Sequence, residues 1–116
     1  MAITRALGDE NRVRILLSLR EGELCLCQII EVLGLAPSTV SKHVDLLRQA
    51  GLIEMRKEGR WHYYRLAGRD APPAAREALR WVMPSLENEQ VIISDAEKLC
   101  CVRKADPGTL TACYTR

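Results

Sequence analysis

Five cysteines dominate the chemistry available to this chain, and they are clustered rather than scattered. Cys25 and Cys27 enclose a single residue, Cys100 and Cys101 are adjacent, and Cys113 lies three residues before the last. An odd number of thiols, without the apolar segment of a signal peptide, argues against a disulfide framework and for metal binding or redox chemistry. A second constellation lies between Ser38 and Arg69, where seven basic residues face three acidic ones, a local charge of +4. The rest of the chain sums to −2. Local basicity matters more for phosphate contacts than the overall total. There is no Cys-x-x-Cys, no phosphate-binding loop and no His–Asp partner for a nucleophile, and no length to spare for a substrate domain. An enzyme is therefore not expected.

These residues must be positioned by helices and one hairpin. Asp9 can cap a helix running through Arg20, with Val13, Leu16, Leu17 and Leu19 as its apolar positions. Glu21-Gly22-Glu23 breaks it. Leu26, Ile29, Ile30 and Leu33 fall at i, i+3, i+4, i+7, one face of a second helix that Gly34 can terminate. Pro37 suits the first turn of a third helix, in which Val40, Val44 and Leu47 face inward and which Gly51 ends. The pair makes a helix-turn-helix. The opposite face of the third helix then shows Ser38, Ser41, Lys42, Asp45 and Gln49, flanked by Thr39 and His43. Short hydrogen-bonding side chains near a recognition helix N-terminus suit base edges and phosphates.

An acidic-Gly turn at Glu58-Gly59, between Leu52–Lys57 and Arg60–Leu66, predicts a hairpin, and a hairpin in this place is a wing. Arg56, Lys57 and Arg60 surround its tip and can reach phosphate or minor groove. Gly68 to Pro73 reads as a linker. An apolar stripe follows at Ala75, Ala78, Leu79, Val82, Met83 and Leu86, in which Pro84 should kink the helix or end it near Met83. Ser94-Asp95-Ala96-Glu97 matches a capping box opening a last short helix with Cys100 and Cys101, and Asp106-Pro107-Gly108 should stop it.

The predicted fold class is mainly α with a small β-hairpin, a winged helix-turn-helix. At 116 residues one compact unit is expected. Aromatics are 4% with no Phe, so the core must be aliphatic. No apolar run approaches the roughly 18 residues of a membrane span, and a cytoplasmic location without membrane contact is expected.

Four segments together carry a resemblance. Gly-Glu-Leu-Cys-Leu-Cys-Gln-Ile (22–29), Ser-Thr-Val-Ser-Lys-His-Val (38–44), Leu-Arg-Gln-Ala-Gly-Leu-Ile (47–53) and Lys-Glu-Gly-Arg-Trp-His-Tyr-Tyr-Arg-Leu (57–66) resemble, in order, the ArsR/SmtB family of metal-responsive repressors. The resemblance covers roughly residues 3 to 83. It implies a homodimer that binds double-stranded operator DNA when metal-free and releases it on metal binding. The dimer would use the first helix and the long helix after the wing. Residues 1–86 would then form the DNA-binding and dimerisation domain, and 87–116 an extension carrying Cys100, Cys101 and Cys113.

The Cys-x-Cys resembles the arsenite branch and also the cadmium/lead branch. In the arsenite pattern a third Cys lies three residues after the pair, where this chain has Ile30. The family's zinc sensors use His and carboxylate pairs after the wing, whereas the two histidines here, His43 and His62, lie in the DNA-binding half. Arsenic(III) and antimony(III) are soft and thiophilic, and thiolate sites select soft ions. A cadmium/lead-responsive or thiol-redox-responsive repressor of the same fold is the alternative.

Three ligand sets follow. Cys25 and Cys27 can be joined by a C-terminal Cys of either protomer. Cys100, Cys101 and Cys113 can form a site of their own. Cys25 and Cys27 can also bind with a small thiol or water completing the shell. The plain alternative for Cys100 and Cys101 is that one is a buried helix residue. Residues at i and i+2 of a regular helix point about 200° apart. Cys25 and Cys27 therefore meet one ion only if that turn is held or driven out of helix.

Overall fold

A computed structural model of the chain describes residues 1–104. The elements are α1 (Ala2–Leu7), α2 (Glu10–Ser18), β1 (Leu24–Cys25), α3 (Leu26–Leu33), α4 (Pro37–Gln49), β2 (Ile53–Glu58), β3 (Trp61–Leu66), α5 (Pro73–Leu86) and α6 (Gln90–Lys104).

Local chemistry sets most of the boundaries. Asp9 caps α2, its Oδ1 accepting from the Asn11 N–H at 2.8 Å. Gly34 ends α3 in the left-handed region at φ 70, donating its N–H to the Ile30 carbonyl, a conformation that favours glycine. Pro37 then opens α4 at the position where its missing N–H costs nothing. Val40, Val44 and Leu47 are buried as their spacing requires. With Ile15, Leu16, Leu19, Ile29, Val32 and Leu52 they form an aliphatic core under the helix-turn-helix. Each such side chain removed from water contributes about 2 kcal/mol.

The hairpin is antiparallel from Ile53↔Leu66 to Glu58↔Trp61, so its loop is Gly59-Arg60, with Gly59 at φ 61. β1 joins the other side of β3, giving the order β1-β3-β2, with Leu24↔Tyr64 and Cys25↔Tyr63 paired.

Several expectations are corrected. The first described helix is α1, six residues without a side-chain cap, and it lies ahead of any local signal in the sequence. β1 is two residues long, too short for an alternation pattern. α2 stops at Ser18 rather than Arg20. α5 runs through Pro84 to Leu86, so of the two outcomes expected of that proline, a kink or an end near Met83, the end does not occur. α6 starts at Gln90, so Ser94 and Glu97 are exposed mid-helix residues and Ser94-Asp95-Ala96-Glu97 does not open this helix.

The buried face of α6 carries Ile92, Asp95, Leu99 and Val102 and packs on α2 and α3. Asp95 accepts from Arg14 Nε at 2.8 Å and Nη2 at 3.0 Å, across the α2–α6 contact. That hydrogen-bonded carboxylate raises the Arg14 guanidinium above its ordinary value. The expected stop at Asp106-Pro107-Gly108 lies outside the described residues.

Candidate functional site

Two sites lie back to back across α3 and α4. The first is the junction of β1 and α3. Cys25 is the N-cap of α3, with extended backbone at φ −71, ψ 149, and Cys27 stands in the first helical turn. The i, i+2 restriction of a regular helix therefore does not apply: the two sulfurs lie 2.8 Å apart. Both residues are buried, at 1% and 0% exposure. Gln28, itself buried, accepts the Cys25 N–H through Oε1 at 2.8 Å, and its own backbone N–H points to the Cys25 sulfur in a capping-box arrangement. The aligned peptides of α3 favour negative charge at this end. Two soft donors at a helix N-terminus suit a thiophilic cation.

Cys100 and Cys101 lie on the exposed side of α6, between the buried Leu99 and Val102. Both are exposed, so neither is the buried helix residue that adjacency allowed. Among the described residues no group of three or more His, Cys, Asp and Glu side chains converges to hold an ion. Cys113 lies outside the described residues. The structure thus brings Cys25 and Cys27 together and leaves Cys100 and Cys101 at the surface of the helix packed beside α3.

The second site is the outer surface of α4 and the wing. Ser38, Thr39 and Lys42 are exposed at the N-terminal end of α4, and Ser41 is half-buried. His43 turns toward α1 and α2: its Nδ1 accepts from Arg12 Nη1 at 3.1 Å, which places the ring proton on Nε2. Arg12 also donates to the carbonyls of Arg5 and Ala6, so one guanidinium ties α1, α2 and α4.

Lys57 and Arg60 stand exposed at the hairpin tip, Arg60 lying 5.0 Å from the Trp61 ring centroid. Arg56 differs. It forms ion pairs with Glu23 and Glu58 and stacks 4.6 Å from the Tyr63 centroid. The Arg56 hydrogen bonds hold the Glu23 carboxyl below its ordinary range. Glu54 is likewise lowered, by the Gly68 N–H and then by Arg65. Sequence reasoning missed Glu23, Gln28 and Tyr63 because all three act through β1, which has no pattern of its own.

The protein-family description "Bacterial regulatory protein, arsR family" matches residues 9–55, from the α2 cap into β2. The arsenic resistance transcriptional regulator ArsR2 of Pseudomonas putida is 32% identical over 98 residues, 84% of this chain and 83% of that protein. The chain belongs to the ArsR family. Two relatives are more similar over shorter spans. ArsR1 of Pseudomonas putida, also an arsenic resistance regulator, is 43% identical over 65 residues, 55% of this chain and 51% of its own. A CadC homologue of Staphylococcus aureus, a cadmium resistance regulator, is 42% identical over 66 residues, 55% and 54%. The chain thus spans about half the length of these two.

Among solved structures, the homodimeric winged helix-turn-helix DNA-binding domain of Mb0332 from Mycobacterium bovis superposes with a TM-score of 0.62. It is 29% identical and covers 77% of this chain and 79% of that one. Family and fold are those of DNA-binding transcriptional regulators rather than enzymes. Among the described residues no helix is long and apolar enough to cross a membrane.

Proposed function

We propose that the chain is a homodimeric repressor that holds operator DNA through α4 and the wing, and releases it when arsenic(III) or antimony(III) is captured by Cys25 and Cys27. The observation that carries this reading is the 2.8 Å approach of the two sulfurs at the N-terminus of α3, the helix packed against the recognition helix. Ser38, Thr39, Ser41 and Lys42, with Lys57 and Arg60, form the DNA-facing set, while His43 is held toward α1 and α2 by Arg12. The third ligand is a C-terminal thiol, from Cys100, Cys101 or Cys113, or an external thiol or water. The related dimeric fold and the arsenic regulators among the relatives support the reading.

The physics of release is direct. An ion bonded to two sulfurs at about 2.3 Å fixes their separation and orientation around itself. Both sulfurs are buried at the β1–α3 junction, so ligation by one ion acts on that junction. A ~100-fold loss of DNA affinity requires only about 2.7 kcal/mol of coupling. The cadmium regulator among the relatives favours one second reading, the same device tuned to cadmium or lead.

The test is a titration of arsenite, antimonite, cadmium, lead and zinc against the reduced protein on a bound DNA fragment, read as DNA release. Arsenite and antimonite should act near stoichiometry and zinc should not. Release by cadmium or lead alone replaces the inducer. Release by peroxide, with arsenite silent, makes the pair a redox switch.

A further inference from the structure

Arg56 stands where a phosphate contact was expected, yet its donors are engaged within the protein. Nε and Nη2 donate to the two oxygens of Glu23 at 2.8 and 2.7 Å, the parallel two-bond geometry that favours Arg over Lys. Nη1 donates to Glu58, and the guanidinium lies over Tyr63. Glu23 immediately precedes β1 and lies two residues before Cys25. Tyr63 is the cross-strand partner of Arg56 on one side and of Cys25 on the other. A single transverse row of the sheet thus reads Cys25, Tyr63, Arg56, and the guanidinium closes that row back onto Glu23.

We propose that the Glu23–Arg56 pair is a latch that converts ion capture at Cys25 and Cys27 into displacement of the wing. Arg56 is then a positioning residue acting through Glu23 and Tyr63 rather than a phosphate contact. The inference rests on the reading that the two sulfurs capture the inducer. Its physical content is a chain of rigid contacts. Ligation of the two sulfurs acts on Cys25 and, through its backbone, on β1. β1 is bonded to β3, and the residue before it is clamped to β2, so the action reaches both wing strands. The latch is half-exposed, with side-chain exposures of 50% and 29%, so it adds little to stability and its variants should remain folded.

The experiment uses the reduced full chain, a DNA fragment selected for binding from a random pool, and arsenite, with Glu23→Gln, Arg56→Gln and the double variant. Affinity is measured with and without arsenite and across salt concentrations, and arsenite binding is followed by calorimetry. Without arsenite each variant should bind DNA within about threefold of the parent and with the same salt slope. Arsenite should still bind, but the loss of DNA affinity it causes should shrink at least fivefold in each single variant and no further in the double. In the parent without DNA, arsenite should shift the Trp61 indole NMR resonance, and Glu23→Gln should reduce that shift, leaving the part carried by the β1–β3 pairing.

A phosphate contact gives a different pattern: Arg56→Gln alone weakens DNA binding and lowers the salt slope by about 1. That result, or a Glu23→Gln protein that responds to arsenite like the parent, overturns the latch while ion-driven release stands. A parent protein that keeps its DNA under saturating arsenite overturns both.

Discussion

At the scale of single residues, the meaning of the Cys-x-Cys pair depends on a boundary one residue wide. On a regular helix the two side chains diverge; with Cys25 as an extended N-cap they meet. The residue types and their spacing were legible in the sequence. The boundary was not, because Cys is an unusual cap and the bond that fixes it comes from Gln28. The Arg14–Asp95 pair was equally hidden, since its members are 81 residues apart. Side-chain exposures of 15% and 9% make it the most protected ion pair among the described residues. Asp95→Ala should destabilise the fold by about 2–3 kcal/mol, at the low edge for breaking a buried pair because Arg14 keeps some solvent. A lower urea midpoint with an unchanged m-value checks this. Replacing both partners by apolar residues should recover part of the loss.

At the scale of elements, the helix-turn-helix was readable because every boundary has a local cause: Asp9, Gly34, Pro37 and the 3.6-residue apolar period. α6 was read too short because Ser94-Asp95-Ala96-Glu97 has the form of a cap while its Asp is a buried ion-pair partner. A tertiary contact overrode a local signal. Gly34 offers the cleanest test of the tight turn. A Cβ there meets only the Lys98 Nζ at 4.0 Å, so the penalty of Gly34→Ala comes from φ 70 and not from crowding. Thermal unfolding should report a loss of about 1 kcal/mol. DNA affinity should fall with it if the turn sets the angle between α3 and α4.

At the scale of the whole molecule, the +4 segment is not uniformly available to DNA. Arg56 and Arg65 are engaged by Glu23, Glu58 and Glu54. Lys42, Lys57 and Arg60 have no ion-pair partner among the described residues. Changing any of these three to Gln should lower the slope of log affinity against log salt by about 1, while Arg65→Gln should leave it unchanged. Charge counting located this face, and the pairing that divides it into free and occupied cations needed the three-dimensional arrangement. The same limit applied to the thiols: clustering in sequence singled out all of them, and the fold joins only Cys25 with Cys27 among those described.

The most direct measurement is the DNA affinity of the fully reduced protein, before and after stoichiometric arsenite, beside the Cys25→Ser, Cys27→Ser double variant. The account predicts a drop on the order of 100-fold in the parent and none in the variant, with equal affinities before arsenite. An undiminished drop in the variant would contradict it, as would a parent whose grip on DNA is indifferent to arsenite.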